Sequence, residues 1–377
     1  MKKISLLFIL AFCSMMTTKA QIPDGFYHIK NADTGRYLSL NDTNPENYPV
    51  NKTSGSVNLA GIRTYLNYDT VSVSPSCVIF IKSLGNGQYD LAGQGSSFYE
   101  MTSHKLPIEI KEVSNGVYIL SGTHSGFTKE LMDRSPSDED GYIMGSGSSG
   151  MNRWNIIPIN TTNEFIGIRP DIKTSNGGYF GTIYAGFNFK LVSPGMAAFY
   201  VSNAGGSSFT LEEIKDEVIP FATPVIIRCN SANPEDNKIE PIAGGYNSVG
   251  MNFLGGVYCS LVGVAGHTNV TPYNPSTMRV LGLDSKGEIA FINAKDRPEL
   301  LVTDRYGAQY LRGNKAYLKV NPGDADVMTI GGTGIKDIKS VTSTSGSIYT
   351  LTGVRLPEGI TPKSGVYIKG GKKMIIK

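Results

Sequence analysis

The stretch whose reading decides the fold runs from Gly178 to Ile227: GYFGTIYAGFNFKLVSPGMAAFYVSNAGGSSFTLEEIKDEVIPFATPVII. β-Branched and aromatic residues fill four short runs, Tyr179–Tyr184, Phe187–Leu191, Ala197–Val201 and Ser208–Glu212. Gly, Asn, Ser and Pro separate them, and a Pro-containing crossing leads into a fifth run, Pro224–Ile227. Runs this short bury an apolar side only by sharing a core, which predicts two layers of antiparallel sheet. Nothing in the stretch has the pattern of a catalytic loop.

Composition extends that reading to the whole chain. Its 377 residues allow two domains and an appendage. The 44 Gly weigh against helices, while 20 Tyr and 15 Phe beside a single Trp suit half-buried sheet faces. The expected fold class is all-β.

Between Ile22 and Asn160 a pattern recurs three times. The first unit opens on Gly25–Asn31, turns at Thr34-Gly35, continues through Arg36–Leu40 and closes on Cys77–Ile81. The second opens on Gly87–Leu91, passes through Phe98–Met101 and closes on Pro107–Ile110. The third opens on Gly116–Leu120, passes around Lys129–Met132 and Gly141–Met144, and closes on Arg153–Ile157. No unit is large enough to bury its own apolar face, so three units sharing one barrel-like core is the economical solution. Trp154 stands in the alternating run that closes the third unit and is expected in that core.

Gly-x-Tyr-x-Ile at the openings, Thr34-Gly35-Arg36-Tyr37-Leu38, and Arg153-Trp154-Asn155-Ile156 together resemble a ricin-type β-trefoil. That resemblance implies a trefoil fold, one used widely in sugar-binding modules. Asn152-Arg153-Trp154 occupies the place where the family's repeats often carry Gln-x-Trp. The first and second units close without Trp.

The first unit carries an insertion, Asn41–Ser76, rich in Asn, Ser, Thr and Tyr. Within it Asp42, Tyr48, Asn67, Tyr68 and Asp69 combine carboxylate, amide and aromatic groups. That mixture holds a sugar by hydrogen bonds and ring stacking, so these five are the candidate ligand-binding residues. Asp133–Asp140 (DRSPSDED) clusters hard oxygen ligands but lacks the spacing and central Gly of a calcium loop, and reads as a charged turn.

Apolar periodicity lapses at Thr161–Glu164, which sets the expected domains: 21–160 trefoil-like, 161–331 a β-sandwich, and 332–377 a small β tail. Gly181–Tyr184, Pro194–Tyr200, Val218–Val225, Gly287–Phe291 and Asn314–Leu318 occur in the order of a module found in exported proteins of gut Bacteroidetes, which they resemble. The resemblance implies a sandwich with a structural or adhesive role. The tail, with strand-like runs at Ile348–Gly353, Gly365–Lys369 and Gly371–Lys377, is similar to C-terminal sorting signals of such proteins.

Residues 1–20 read as an export signal: Lys2-Lys3, the apolar run Ile4–Cys13, and Thr18-Lys19-Ala20 before cleavage. Its removal takes three Lys and leaves 32 basic against 32 acidic residues, a balance that argues against nucleic-acid partners. No second long apolar stretch predicts a membrane span. Of the remaining Cys77, Cys229 and Cys259, the last two could pair, or all could be buried thiols; none has a Cys or His at metal-ligand spacing. His267, Tyr246, Tyr273 and Tyr306 fall in polar loops, and the three Tyr could line a binding edge. There is no nucleophile elbow, zinc-protease helix or phosphate loop; GSGSSG at 145–150 precedes no helical run. The expectation is an exported, non-catalytic carbohydrate-binding protein without cofactor or metal, its partners glycans or surface proteins. The alternative is a structural or adhesive surface component.

Overall fold

In a computed structural model the described residues are 21–39, 63–65, 72–93, 96–97, 100–101, 104–105, 107–124, 126–133, 143–145, 151–245, 249–257, 271–303, 307, 309–331, 348–350, 365–369 and 372–376. Almost all of the regular structure among them is β-strand, arranged in several sheets. None of these residues forms a helix long and apolar enough to cross a membrane.

The first sheet closes on itself. Gly25–Asn31 pairs with Ile79–Gly85, which pairs with Gln88–Gly93, which pairs with Ile108–Ser114, which pairs with Val117–His124. Trp154–Pro158 then pairs with both Val117–His124 and Gly25–Asn31, completing a ring. Hairpin strands hang from it: Tyr37–Ser39 with Arg63–Tyr65, Ser96–Ser97 on Gln88–Gly93, and Phe127–Asp133 with Ile143–Gly145. Side-chain alternation sends Tyr27, Ile29, Ile79, Ile81, Leu91, Ile108, Leu120 and Trp154 into one interior. Between the paired Gly85 and Gln88, Asn86 at φ 53° and Gly87 at φ 75° both take positive φ, as the two central residues of a tight hairpin turn require.

Trp154 sits at the closing point. It faces Asn31 on one neighbour and Tyr118 on the other, is fully buried, and its indole N–H donates to the Leu131 carbonyl at 2.9 Å. It is a core residue, as its alternating run indicates.

Downstream lie two larger sheets. The strands at 178–227 occur where the sequence places them: Tyr179–Ile183, Asn188–Leu191, Ala197–Gly205, Ser208–Glu213 and Val225–Cys229. The Pro-containing crossing contributes a further short strand, Val218–Ile219, that the sequence pattern does not reveal. A ten-stranded sheet runs in the order Ile172–Lys173, Tyr179–Ile183, Val225–Cys229, Ala197–Gly205, Ser208–Glu213, Val327–Ile330, Ile289–Ile292, Met278–Leu283, Lys315–Lys319, Leu254–Val257. Ile172 and Phe180 at one end share a core with Leu254 and Leu318 at the other, so the sheet curls around its apolar side. A four-stranded sheet, Ile166–Gly167, Lys238–Ile242, Asn188–Leu191 and Val218–Ile219, sets Ile166, Phe189, Ile219 and Ile239 against Ile183, Val225 and Ile227 of the curled one. Ile348–Thr350, Gly365–Lys369 and Lys372–Ile376 form a separate antiparallel sheet.

The ring packs directly against the downstream sheets. Phe26 on its outer face lies 4.9 Å from Phe80 and 6.0 Å from Phe187, ring centre to ring centre. Val78 joins the same cluster as Ile166 and Phe189. The stretch Thr161–Glu164, where the sequence places a boundary, is tied down at both ends. Lys238 Nζ donates to the Thr161 carbonyl at 2.8 Å, and buried His28 Nδ1 meets the Glu164 carboxylate at 2.9 Å. That bond makes Nδ1 the protonated nitrogen, leaving buried Nε2 without a partner, a cost the packing around it must offset.

Trp154→Ala is expected to cost about 3–5 kcal/mol, because a large aromatic is removed at the one strand that closes the ring. Thermal unfolding should show a steep drop in Tm; a mutant melting like the parent would contradict this role for the indole.

Candidate functional site

Asp42, Tyr48, Asn67, Tyr68 and Asp69 lie outside the described residues, as do His267, Tyr246, Tyr306 and Cys259. The C-terminal end of their insertion is described, and it forms one wall of a cleft of about 500 Å³. Val73, Ser74 and Pro75 line that wall. A short 3-10 turn, Pro75–Cys77, fixes it, with the Ser74 and Ser76 hydroxyls 2.6 Å apart.

The opposite wall comes from the curled sheet and its edges. Arg169-Pro170-Asp171 leads from Ile166–Gly167 into Ile172–Lys173. Asp171 is a cross-brace: Oδ2 accepts from the Thr182 amide at 2.7 Å and its hydroxyl at 3.2 Å, and Oδ1 accepts from Lys315 Nζ at 2.6 Å. The turn before Lys315 holds Asn314 at φ 59°, a left-handed conformation that Asn tolerates better than most residues. Its side-chain amide donates to the Tyr184 carbonyl at 3.0 Å, and its own carbonyl accepts from the Tyr184 amide at 3.0 Å. Arg312, two residues before this clamp, lines the cleft. Arg312 Nε and one terminal nitrogen donate to the Glu299 carbonyl at 3.2 and 2.8 Å. Arg297 pairs with the Glu299 carboxylate. Val280, Leu281, Leu300, Leu311 and Tyr317 make the floor apolar.

Both carboxylates of the cleft are engaged by basic side chains. Its hydrogen bond from Arg297 holds the Glu299 carboxyl below the usual carboxylate range, so it is ionised at neutral pH and cannot serve as a general acid. Asp171 accepts from three donors, two from Thr182 and one from Lys315. No group of three or more His, Cys, Asp or Glu able to hold a metal occurs among the described residues.

Two expectations need correction. Asp133 is not part of a charged turn: it ends the strand Phe127–Asp133, is fully buried, and is bound by buried Arg36. Arg36 Nε donates at 2.7 Å and the Thr34 hydroxyl at 2.6 Å. The pair bolts the first hairpin to the third, and residues 134–140 lie outside the described residues. Tyr273 is not a free binding edge either. Its hydroxyl donates to Asn293 Oδ1 at 3.0 Å and accepts from the Ala294 amide at 2.9 Å, and it packs on the buried cluster that contains Val257 and Leu301. The sequence signal for Arg36 and Asp133 was faint: a charged residue at a turn-to-strand junction is usually solvated.

Cys229 is a free, buried thiol whose Sγ lies 3.8 Å from the Ile227 carbonyl, while its candidate partner Cys259 lies outside the described residues. Burial, with Asp171 adding to it, pushes the thiol from 9.0 up to about 12.

No protein-family model and no curated protein matches the chain. Among solved structures it is similar to a designed threefold-symmetric protein, ThreeFoil, at 19% identity, covering 36% of this chain and 99% of that one, with a TM-score of 0.26.

Asp133→Ala should destabilise by about 3–5 kcal/mol, since it strands a buried guanidinium; denaturant titration against the parent measures it. Cys229 should resist alkylation at pH 8 until the protein unfolds, read by mass mapping of its peptide. The unfolded thiol ionises near its ordinary value while the folded one keeps its proton, so Cys229's contribution to stability is full below about pH 9 and is lost as pH rises towards 12.

Proposed function

We propose that this chain is an exported, non-catalytic carbohydrate-binding protein. The observation that carries the reading is the cleft: an apolar floor bearing a Tyr317 edge, ringed by Arg, Asn and Ser donors, and walled by the end of the 41–76 insertion. Its size suits a small ligand, and apolar area with a few fixed polar groups is how such sites orient one. Asp42, Tyr48, Asn67, Tyr68 and Asp69 reach the ligand from the same insertion in this proposal.

The closed ring with three hanging hairpins supports reading residues 21–160 as a β-trefoil, a scaffold that suits surface sugar sites. The paired curled and four-stranded sheets support a sandwich-like second unit over 161–331, with 332–377 as an appended tail. Export rests on residues 1–20.

A second reading, a structural or adhesive component, is favoured by one feature. Phe221 stands 57% exposed beside an apolar groove of about 260 Å³ lined by Phe26, Phe80, Phe187 and Ile242. Exposed apolar surface of this kind suits protein contact.

A multivalent glycan array with the mature chain separates the two, because single sites of about millimolar affinity, near −4 kcal/mol, register only through avidity. Binding is expected, and Asp42→Ala and Tyr68→Ala should lose it at unchanged melting temperature. A blank array overturns the sugar reading; binding retained by both mutants overturns the choice of loop.

A further inference from the structure

The cationic groups of the cleft are not equivalent. Four basic side chains, Arg169, Arg297, Arg312 and Lys315, line it beside two carboxylates, Asp171 and Glu299. Lys315 is committed to Asp171, and Arg297 to Glu299. Both carboxylates are thereby neutralised and neither repels an incoming anion. Two positive charges remain. Arg169 is exposed and makes no side-chain hydrogen bond or ion pair among the described residues. Arg312 is hydrogen-bonded through the Glu299 backbone carbonyl and shares the Glu299 carboxylate's field with Arg297, so one carboxylate faces two guanidinium groups and positive charge is left over.

Both guanidinium groups are exposed to water beside an apolar floor, so their charge is available to an anion that enters the cleft. The planar fork of Arg matches a carboxylate or sulfate with two parallel hydrogen bonds, and the low-dielectric walls of a cleft focus the field. The remainder of the chain does not favour polyanions in general, since basic and acidic residues balance once residues 1–20 are set aside.

We propose that the cleft selects acidic glycans, with a carboxylate or sulfate held by Arg169 and Arg312 and the attached sugar ring lying over the floor at Tyr317. The proposal rests on the reading of this cleft as a sugar site.

The test immobilises three hexose oligomers of equal length and density: galacturonic acid, sulfated galactose and neutral galactose. The mature chain should favour at least one acidic probe over the neutral one, and the acidic probe that wins identifies the anion. Binding to it should weaken as NaCl is raised. Arg169→Gln, which breaks no internal bond, should weaken acidic binding about tenfold, the equivalent of one charge-assisted hydrogen bond of ~1.5 kcal/mol, with Tm unchanged and neutral binding weakened much less. Arg312→Gln should act in the same direction. Lys111→Gln, an exposed strand residue outside the cleft, should change nothing. Neutral binding as strong as acidic, or acidic binding unaffected by both Arg variants or equally weakened by Lys111→Gln, overturns acidic selection while the glycan reading stands. Failure of all three probes and of the broad array overturns both.

Discussion

Closure of the first sheet hangs on the strand that contains Trp154. An open sheet leaves edge N–H and C=O groups unpaired and its concave side wet; a ring pairs them and makes an interior. Trp154–Pro158 supplies the missing side, and the indole fills the space the closure creates. On the third hairpin, Leu131 receives the indole hydrogen bond and Asp133 receives Arg36 from the first. The hairpins are therefore fixed by the same closure that makes the core. A buried ion pair contributes little net stability compared with apolar packing. What Arg36–Asp133 supplies is a contact that ties the first hairpin to the third across 97 residues of chain.

The second dependence is the outer face of Gly25–Asn31. A strand of a closed ring normally turns alternate residues to water. Here Phe26 packs on Phe187, and His28 is covered and bonded to Glu164. The cleft arises from that contact, since Val73–Pro75 precedes a ring strand while Asp171, Arg312 and Lys315 belong to the curled sheet and its turns. Were the two parts independent, those walls would not face each other. Asp171 then keeps the far wall rigid by joining Tyr179–Ile183 to Lys315–Lys319 through side-chain bonds.

The strands were legible for a simple reason. Their signal is local: β-branched and aromatic runs punctuated by Gly and Asn, with period-two alternation that decides which side is buried. Tyr179–Ile183, Gly25–Asn31 and Trp154–Pro158 all carry such runs, although the first two are buried on both faces, and the burial of Trp154 could be read from its neighbours. Val218–Ile219 escaped because two residues beside a Pro carry no period. Asp133 was misread because its partner lies 97 residues away in the chain.

The sequence by itself determined a strand-built protein with a threefold recurrence before residue 160, since both depend on short-range patterns that hydrophobic burial enforces residue by residue. Only the tertiary structure decided that the ring closes, that Phe26 buries its outer face, and that Arg169, Arg312 and the end of the insertion meet around one cleft. Those outcomes depend on which surfaces find each other across long stretches of chain. The side chains that decide them, an Arg after a strand or an Asp at its end, look locally like ordinary solvated charges.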